Sequence, residues 1–398
     1  LTIAGRGNQE QIDVFPGVPL DNELSANVID LCPVGALLDK DFLFAQRVWF
    51  LKRTPSIDGI TASGDNISIE HNQGRIYRLK PRDNADVNKW WISDEIRYGW
   101  KFVHAENRLT APTHLQYGKR IACEHTRAFA TAAENLAGKR LLVMVSPMLP
   151  CEEAYALARL ARAIDASAVL AVGPVPFSGE DKTFPGGYTI RAEKAPNARG
   201  VRRVLRAFGG DVIEAGDAIR RLASGEFTAA IITGNYPSEW VTEDLARAAE
   251  KTFTVCIDTL PNRLTQVAQV VIPGATWAEK AGVFENAAGR LQAFEQAIPP
   301  VSGAMPEGQI ALDLLAVLEG TPVSQTRAST NTLVIDEQPG QVPAAATVVL
   351  PRPTLRFNAA NIRREMAAEF PALSVFETDV HYPPAAGKQE ADMEIVEL

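Results

Sequence analysis

Thiols are the side chains in this 398-residue sequence most committed to chemistry, and there are four, Cys32, Cys123, Cys151 and Cys256. They lie far apart and form no Cys-x-x-Cys pair, so neither a disulfide framework nor a zinc site is indicated. Such usage suits a reducing, cytoplasmic setting. Only Cys32 has an informative context, Leu31-Cys32-Pro33-Val34-Gly35. There a thiolate can bind iron, Pro33 blocks helix continuation, and Gly35 permits a tight backbone beside a bulky group. Cys123, Cys151 and Cys256 read as small apolar core residues. Cys151 falls near a helix start, where a low-pKa thiol is the lesser alternative.

Other chemistry is sparse. His71, His104, His114, His125 and His381 show no HExxH or paired spacing, and packing or surface roles are expected. No GxGxxG follows a strand, so the dinucleotide fingerprint is missing. The run Ile231-Ile232-Thr233-Gly234-Asn235-Tyr236-Pro237 ends a strand where doubly wound sheets bind ligands. Arg199, Arg202, Arg203 and Arg206 have helical spacing and read as a solvated face or partner contact.

The elements behind these residues fall into four stretches. Residues 1–45 are loop-rich and punctuated by Gly5, Gly7, Pro16, Gly17 and Pro19; they resemble the tail of a domain. Residues 46–115 read as β-rich: Ile67 and Ile69 alternate with polar residues, Asn72-Gln73-Gly74 supplies a turn, and Ile76 to Leu79 return. Trp90, Trp91, Tyr98 and Trp100 follow and are expected to pack this small domain against its neighbour.

Residues 120–330 change period. Strands are expected at 141–145, 169–172, 229–233, 253–257 and 270–272, with helices from about 152 and over 243–251. Glu152 and Glu153 fall in a first turn, where the helix dipole favours them. Strands alternating with helices imply a mostly parallel, doubly wound α/β sheet. Residues 331–398 form a Pro- and Ala-rich C-terminal extension, with one helix over 361–370 and an acidic tail from Pro383.

Bulk properties exclude some functions. Net charge is −8 and the pI about 5.4, which argues against a nucleic-acid partner. Apolar residues are 46% and charged residues 22%, ordinary for packed domains. No apolar run approaches the roughly 18 residues of a membrane span. The chain opens on Leu1 without a secretory leader pattern, so a longer parent sequence is expected.

Three segments carry a family resemblance. The first is Asn27-Val28-Ile29-Asp30-Leu31-Cys32-Pro33-Val34-Gly35-Ala36-Leu37, supported by Gly5-Arg6-Gly7-Asn8 and by the run from Pro19 to Ser25. The second runs from Thr54 to Trp100. The third is the string from Val270 to Gln292, with Pro273-Gly274-Ala275-Thr276-Trp277-Ala278-Glu279-Lys280-Ala281-Gly282 at its centre. Together they resemble the large iron–sulfur subunit of NADH:quinone oxidoreductase (respiratory complex I) and, behind it, the molybdopterin oxidoreductases.

The resemblance implies that Cys32 is the last ligand of a [4Fe–4S] cluster, with the other ligands and further [4Fe–4S] and [2Fe–2S] clusters upstream of Leu1. It implies a second departure. Molybdopterin oxidoreductases and some bacterial relatives carry C-x2-C-x3-C-x27-C in the second segment. Here that spacing falls on Asp58, Thr61, Asp65 and Ser93, which are poor iron–sulfur ligands. A fold kept without its cluster is expected. In the third segment Trp277 and Phe284 are expected to pack the domain.

The fold class is therefore expected to be α/β: the tail of an iron–sulfur domain, a small β-rich domain, then a doubly wound, mostly parallel domain of molybdopterin-oxidoreductase type. The function implied is electron transfer from a flavin subunit through iron–sulfur clusters toward quinone. The α/β domain would be structural and without molybdopterin, and this chain alone would not be catalytic. Implied partners are the flavin subunit, the small thioredoxin-like iron–sulfur subunit and the quinone-side subunits. The implied place is the hydrophilic arm, on the cytoplasmic face of the bacterial inner membrane or the mitochondrial matrix side, with membrane contact only through the complex. The alternative is a subunit of a molybdopterin-dependent oxidoreductase of formate-dehydrogenase type.

Overall fold

The computed structural model describes residues 2–320 and 356–383. Most of the C-terminal extension, and the acidic tail beyond Pro383, lie outside the described residues.

The N-terminal stretch has little core of its own. A short hairpin pairs β1 (Thr2–Ala4) with β2 (Gln11–Asp13), and a single helix, α1 (Asn27–Leu31), ends at Cys32. Its large apolar side chains stay exposed, Phe15, Val34 and Phe44 among them.

The β-rich reading of the next stretch is correct. β3 (Lys52–Ile57), β4 (Asn66–Asn72) and β5 (Arg75–Pro81) form an antiparallel meander. The turn between β4 and β5 puts Gln73 at φ 48° and Gly74 at φ 77°, the left-handed pair that matches hairpin twist. α2 (Asp94–Gly99) follows, with the Ser93 side chain accepting the Ile96 N–H as its N-cap. The core holds Ile57, Ile67, Ile69, Ile76, Leu79 and Ile96, but also Trp277, Phe284 and Phe294 from much later in the chain. The packing expected of Trp277 and Phe284 is thus observed, with Trp277 stacked on Phe102 at 5.8 Å. Trp91, Tyr98 and Trp100 are half-buried. Trp90 departs from expectation: it is 57% exposed, lying flat on Trp91 instead of inside the domain.

The large sheet begins with an antiparallel edge that sequence patterning did not mark, β6 (Thr113–Gln116) and β7 (Lys119–Ala122). These strands are half-buried to exposed, and β7 opens on Lys119 and Arg120, so their period is weak. α3 (His125–Leu136) was also unmarked; its N-cap, Glu124, makes no side-chain capping bond. The expected α/β alternation follows: β8 (Leu141–Val145), α4 (Cys151–Ile164) and β9 (Val169–Val172). A small excursion, β10 (Lys182–Thr183) with β11 (Thr189–Ile190), leads to α5 (Ala198–Ala207) and β12 (Val212–Glu214). Then come α6 (Ala215–Ala223), β13 (Ala229–Thr233), α7 (Glu243–Glu250), β14 (Phe253–Asp258), α8 (Arg263–Val267) and β15 (Val270–Pro273). A hairpin of β16 (Gly282–Glu285) and β17 (Leu291–Phe294) precedes α9 (Glu307–Leu318), α10 (Ala359–Glu369) and α11 (Val375–Thr378).

The strand order is 12-9-8-13-14-15-6-7, parallel from β12 through β15 and antiparallel only at the β6–β7 edge. Alternation along each strand explains why both faces are covered. Leu141, Val143, Val145, Ile231, Val255 and Ile272 point to a core built with α3, α4, α5 and α9. Leu142, Met144, Ile232, Cys256 and Val271 point the other way, to α6, α7 and α8.

Candidate functional site

Cys32 is placed by its helix, and the helix is fastened by polar contacts. The Asn27 side chain donates to the Ile92 carbonyl (2.7 Å) and accepts from the Ile92 N–H (3.3 Å). Asp94 accepts from the Ser25 hydroxyl (2.7 Å) and the Ala26 N–H (3.1 Å). Arg97 pairs with Asp30 at 2.6 Å, two residues before the cysteine. The helix stops at Cys32, where φ −79° and ψ 105° turn the chain out, and Pro33 cannot continue it. The backbone amide of Leu37 lowers the Cys32 thiol from its usual range, against an opposing effect of burial, and those of Ala36, Val34 and Gly35 add to the lowering. A lowered thiol favours the thiolate, the form that ligates metals.

The four positions of the second segment come together in one buried spot. Asp58, Thr61, Asp65 and Ser93 are all at most 1% exposed. Asp58 N–H donates to the Asp65 carbonyl at 2.8 Å, and the Asp58 carboxylate accepts from the Ile60 N–H (2.8 Å), the Thr61 N–H (3.1 Å) and the Thr61 hydroxyl. Asp65 accepts from the Tyr188 hydroxyl at 2.6 Å. Neither carboxyl has a cationic partner among the described residues. Burial pushes Asp58 up to about 7, and burial together with the Asp58 charge raises Asp65 well above the carboxylate range.

A tetrahedral set of soft donors is absent from this spot. The oxygens present are already committed to one another, so the residues do not fit an iron–sulfur cluster. Among the described residues no group of three or more His, Cys, Asp or Glu could hold a metal ion.

At the carboxyl ends of the parallel strands, the Gly234 loop is filled by the chain's own side chains. Asn235 sits at φ 78°; its N–H donates to Asp258 (2.8 Å) and its side-chain amide to the Ala275 carbonyl (2.6 Å) and to Glu307 (3.1 Å). Asp258 also accepts from Trp240 (3.0 Å), Asn262 (2.7 Å) and the Thr259 N–H (2.7 Å). Beside it Lys280 bridges Glu153 (2.7 Å) and Glu307 (2.6 Å), all three fully or nearly fully buried. Burial works against the Lys280 ammonium, yet the two carboxylates raise its pKa. Burial raises Glu153, and Lys280 only partly offsets it. Two further buried pairs, Arg108–Glu279 (2.9 Å) and Arg363–Glu152, complete the network.

Sequence reasoning missed this network. Glu152 and Glu153 read as helix-start acids, and Glu279 and Lys280 passed as part of a turn. A Lys in an otherwise apolar, turn-flanked string was the available signal. Cys151 and Cys256 are buried as expected, with burial raising both thiols, which speaks against the low-pKa alternative for Cys151, whereas Cys123, also expected in the core, is only half-buried against it. Arg202 and Arg203 pair with Glu214 and Glu285 on the solvated side of α5. The histidines stay apart; His104, for example, accepts the Ile76 N–H at 2.9 Å.

A parallel doubly wound sheet with a self-filled loop at its ligand-binding edge, joined to a cysteine-bearing N-terminal segment, defines an α/β domain of molybdopterin-oxidoreductase type behind the end of an iron–sulfur region. Comparisons with known proteins agree. Residues 208–317 match the molybdopterin oxidoreductase family. Residues 1–38 match the ferredoxin-like domain of NADH-quinone oxidoreductase subunit 3, and residues 51–101 the NADH-ubiquinone oxidoreductase NDSU1/NuoG-like 4Fe-4S domain. That last stretch contains no cysteine in this chain. The chain is 44% identical over 119 residues to the mitochondrial NADH-ubiquinone oxidoreductase 78 kDa subunit of Neurospora crassa, covering 30% of this chain and 16% of that one. It is 40% identical over 136 residues to the 75 kDa subunit of Reclinomonas americana, covering 34% and 20%. A solved structure, acetylene hydratase from Pelobacter acetylenicus, aligns with TM-score 0.43 at 10% identity over 67% of this chain and 69% of that one, too distant to add to the fold argument.

The matched stretches are of the type found in the large iron–sulfur subunit of NADH:quinone oxidoreductase. The matched stretches span about a fifth or less of the length of those curated relatives, 16% and 20%. No helix among the described residues is long and apolar enough to cross a membrane.

Proposed function

We propose that the chain works as part of an electron-transfer subunit of NADH:quinone oxidoreductase, with Cys32 one of four ligands to a [4Fe–4S] cluster. The observation that carries this reading is the placement of Cys32 at the end of α1, a helix fastened through Asn27 and the Arg97–Asp30 pair, in the stretch matched by the ferredoxin-like domain. A bound cluster supplies one-electron transfer. This chain's residues would hold one iron through the Cys32 thiolate, spread its charge over the amides of Val34 to Leu37, and fix its position through Asn27, Asp30 and Arg97. The other ligands, and further [4Fe–4S] and [2Fe–2S] clusters, would come from sequence outside this chain.

The rest of the chain would act as a brace. The division into 1–45, 46–115 and 120–330 would separate cluster region, cluster-free β domain and α/β domain. Trp277 and Phe284 pack into the middle unit and tie it to the third. The partners would be the flavin subunit, the small thioredoxin-like iron–sulfur subunit and the quinone-side subunits. The site of action would be the hydrophilic arm on the cytoplasmic face of a bacterial inner membrane, or the matrix side in mitochondria.

A molybdopterin-dependent oxidoreductase is the second reading, favoured by the match over 208–317. Against it, Asp258, Asn235, Lys280 and Glu307 occupy the strand-end crevice with satisfied bonds. Metal analysis of the assembly purified through a tag on this protein separates the two. Iron above about a dozen atoms without molybdenum supports complex I; molybdenum near one per chain overturns it. In that assembly, Cys32→Ser should remove one cluster signal from the electron paramagnetic resonance spectrum, and an unchanged spectrum would sink the ligand role.

A further inference from the structure

Between the β meander and the β16–β17 hairpin lies a cavity of about 260 Å³. Arg82 reaches it from the residue just after β5, and Arg290 from the residue just before β17. His381 reaches it from the C-terminal segment, which lies against β17: His381 N–H donates to the Leu291 carbonyl, and Ala293 N–H to the His381 carbonyl, both at 2.9 Å.

The charges on this wall are not balanced. Arg82 is half-buried and has no ion-pair partner among the described residues; its only side-chain bond is a long one, 3.4 Å, to the Ser56 carbonyl. Its Nε is buried without an acceptor, and so is that of Arg290. Arg290 reaches Asp86 at 3.2 Å, but Asp86 is 70% exposed and solvent weakens such a pair. Its other contact, 3.2 Å, is to Nδ1 of His381, which is not an anion. Asp83 is the one carboxylate in the lining and is exposed. Burial lowers the Arg82 pKa, as it does for a cation whose charge nothing nearby offsets.

An uncompensated guanidinium beside a cavity favours an anion, because water can fill N–H valences but cannot neutralise the charge. The volume sets the size of that anion. It lies just under the roughly 300 Å³ at which pockets for drug-sized molecules begin, and amounts to roughly eight waters. Two forks facing one space suit an oxyanion with several acceptor oxygens. We propose that this cavity is a binding site for a small oxyanion of the phosphate type, held between Arg82 and Arg290. Its role would be to fasten the C-terminal segment at His381 to the hairpin and the β meander. The site is separate from Cys32 and from the Gly234 loop, so it stands whether or not the electron-transfer reading does.

The test uses the full chain and inorganic phosphate. Phosphorus-31 line width and melting temperature are followed against phosphate concentration, with chloride added to hold ionic strength constant. The expected result is saturable line broadening at millimolar phosphate with a melting temperature that rises with the logarithm of phosphate concentration above the dissociation constant; salting effects alone rise in proportion to concentration and bring no saturable broadening. Arg82→Gln and Arg290→Gln should each weaken saturation at least tenfold, and Arg220→Gln, a 73% exposed control, should not. Where a Gln variant fails to fold, Arg82→Lys retains the charge but not the fork and should weaken binding by a similar factor. Line width independent of phosphate, or saturation unchanged in the folded Arg82 and Arg290 variants, would overturn the site.

Discussion

Tyr188 donates its phenolic proton to Asp65 across 2.6 Å, joining the small excursion between β10 and β11 to the buried loop that holds Asp58 and Thr61. Asp65 has this one side-chain donor, while Asp58 accepts three. The two carboxyls share one dry pocket, so Asp65 is the one that keeps its proton.

A pH dependence follows. Both groups have folded-state pKa values above the ordinary Asp value, so the folded protein binds more protons than the unfolded chain. Their contribution to stability is complete below about pH 4 and is lost as pH rises through the raised folded-state values, about 7 for Asp58 and well above the ordinary carboxylate range for Asp65. Asp65→Asn keeps an acceptor for Tyr188 and removes one titrating group. Urea unfolding between pH 5 and 7 should show a shallower decline in the variant, by up to about 1.4 kcal/mol per pH unit. Parallel curves would mean that Asp65 is ionised in the fold.

Cysteine reactivity should single out Cys32. Its thiol is half-buried and lowered by four amides, whereas Cys151 and Cys256 are buried and raised, and Cys123 is half-buried and raised. Brief iodoacetamide treatment at neutral pH, read by peptide mass spectrometry, should label Cys32 first. Equal labelling of Cys123 would remove the case for an activated thiolate.

Removing the Lys280 charge should be costly. Lys280→Met leaves Glu153 and Glu307 facing each other in a dry site, a loss of about 3–5 kcal/mol. Adding Glu153→Gln and Glu307→Gln should recover most of it. Denaturant midpoints of the single and triple variants check this, and a triple variant no more stable than the single would assign the loss to packing instead.

Gly59 lies face to face with the Trp277 ring, and a β-carbon there would collide with it. Gly59→Ala should therefore destabilise by about 1–3 kcal/mol. Trp277→Leu should remove most of the additional penalty in a double-mutant cycle. Additive effects would show that the two residues do not meet.

Much of the architecture could be read from local pattern. The apolar runs at 141–145, 229–233 and 270–272 are buried on both sides, and a parallel sheet demands that. The hairpin at Asn72 to Arg75 could be read because its left-handed residues have a composition of their own. β6, β7 and α3 could not: their burial is partial and comes from β15 and α9, which lie well over a hundred residues further on. The cysteine-bearing segment stood out by residue type, whereas the amides around Cys32 depend on how the chain turns after Pro33.

By itself the sequence determined the periods that make strands and helices and set Cys32 apart by the Pro33 and Gly35 beside it; that Asp58, Thr61, Asp65 and Ser93 stand at cluster-ligand spacing is what the family resemblance implies. The periods are properties of residue type and spacing. Tertiary structure alone decided that Lys280 meets Glu153 across 127 positions, that Tyr188 meets Asp65 across 123, and that Arg82 has no counter-ion among the described residues. The reason is desolvation. A charge has a defined cost and a defined partner only once packing has removed water from it, and that removal is made by elements distant in the chain.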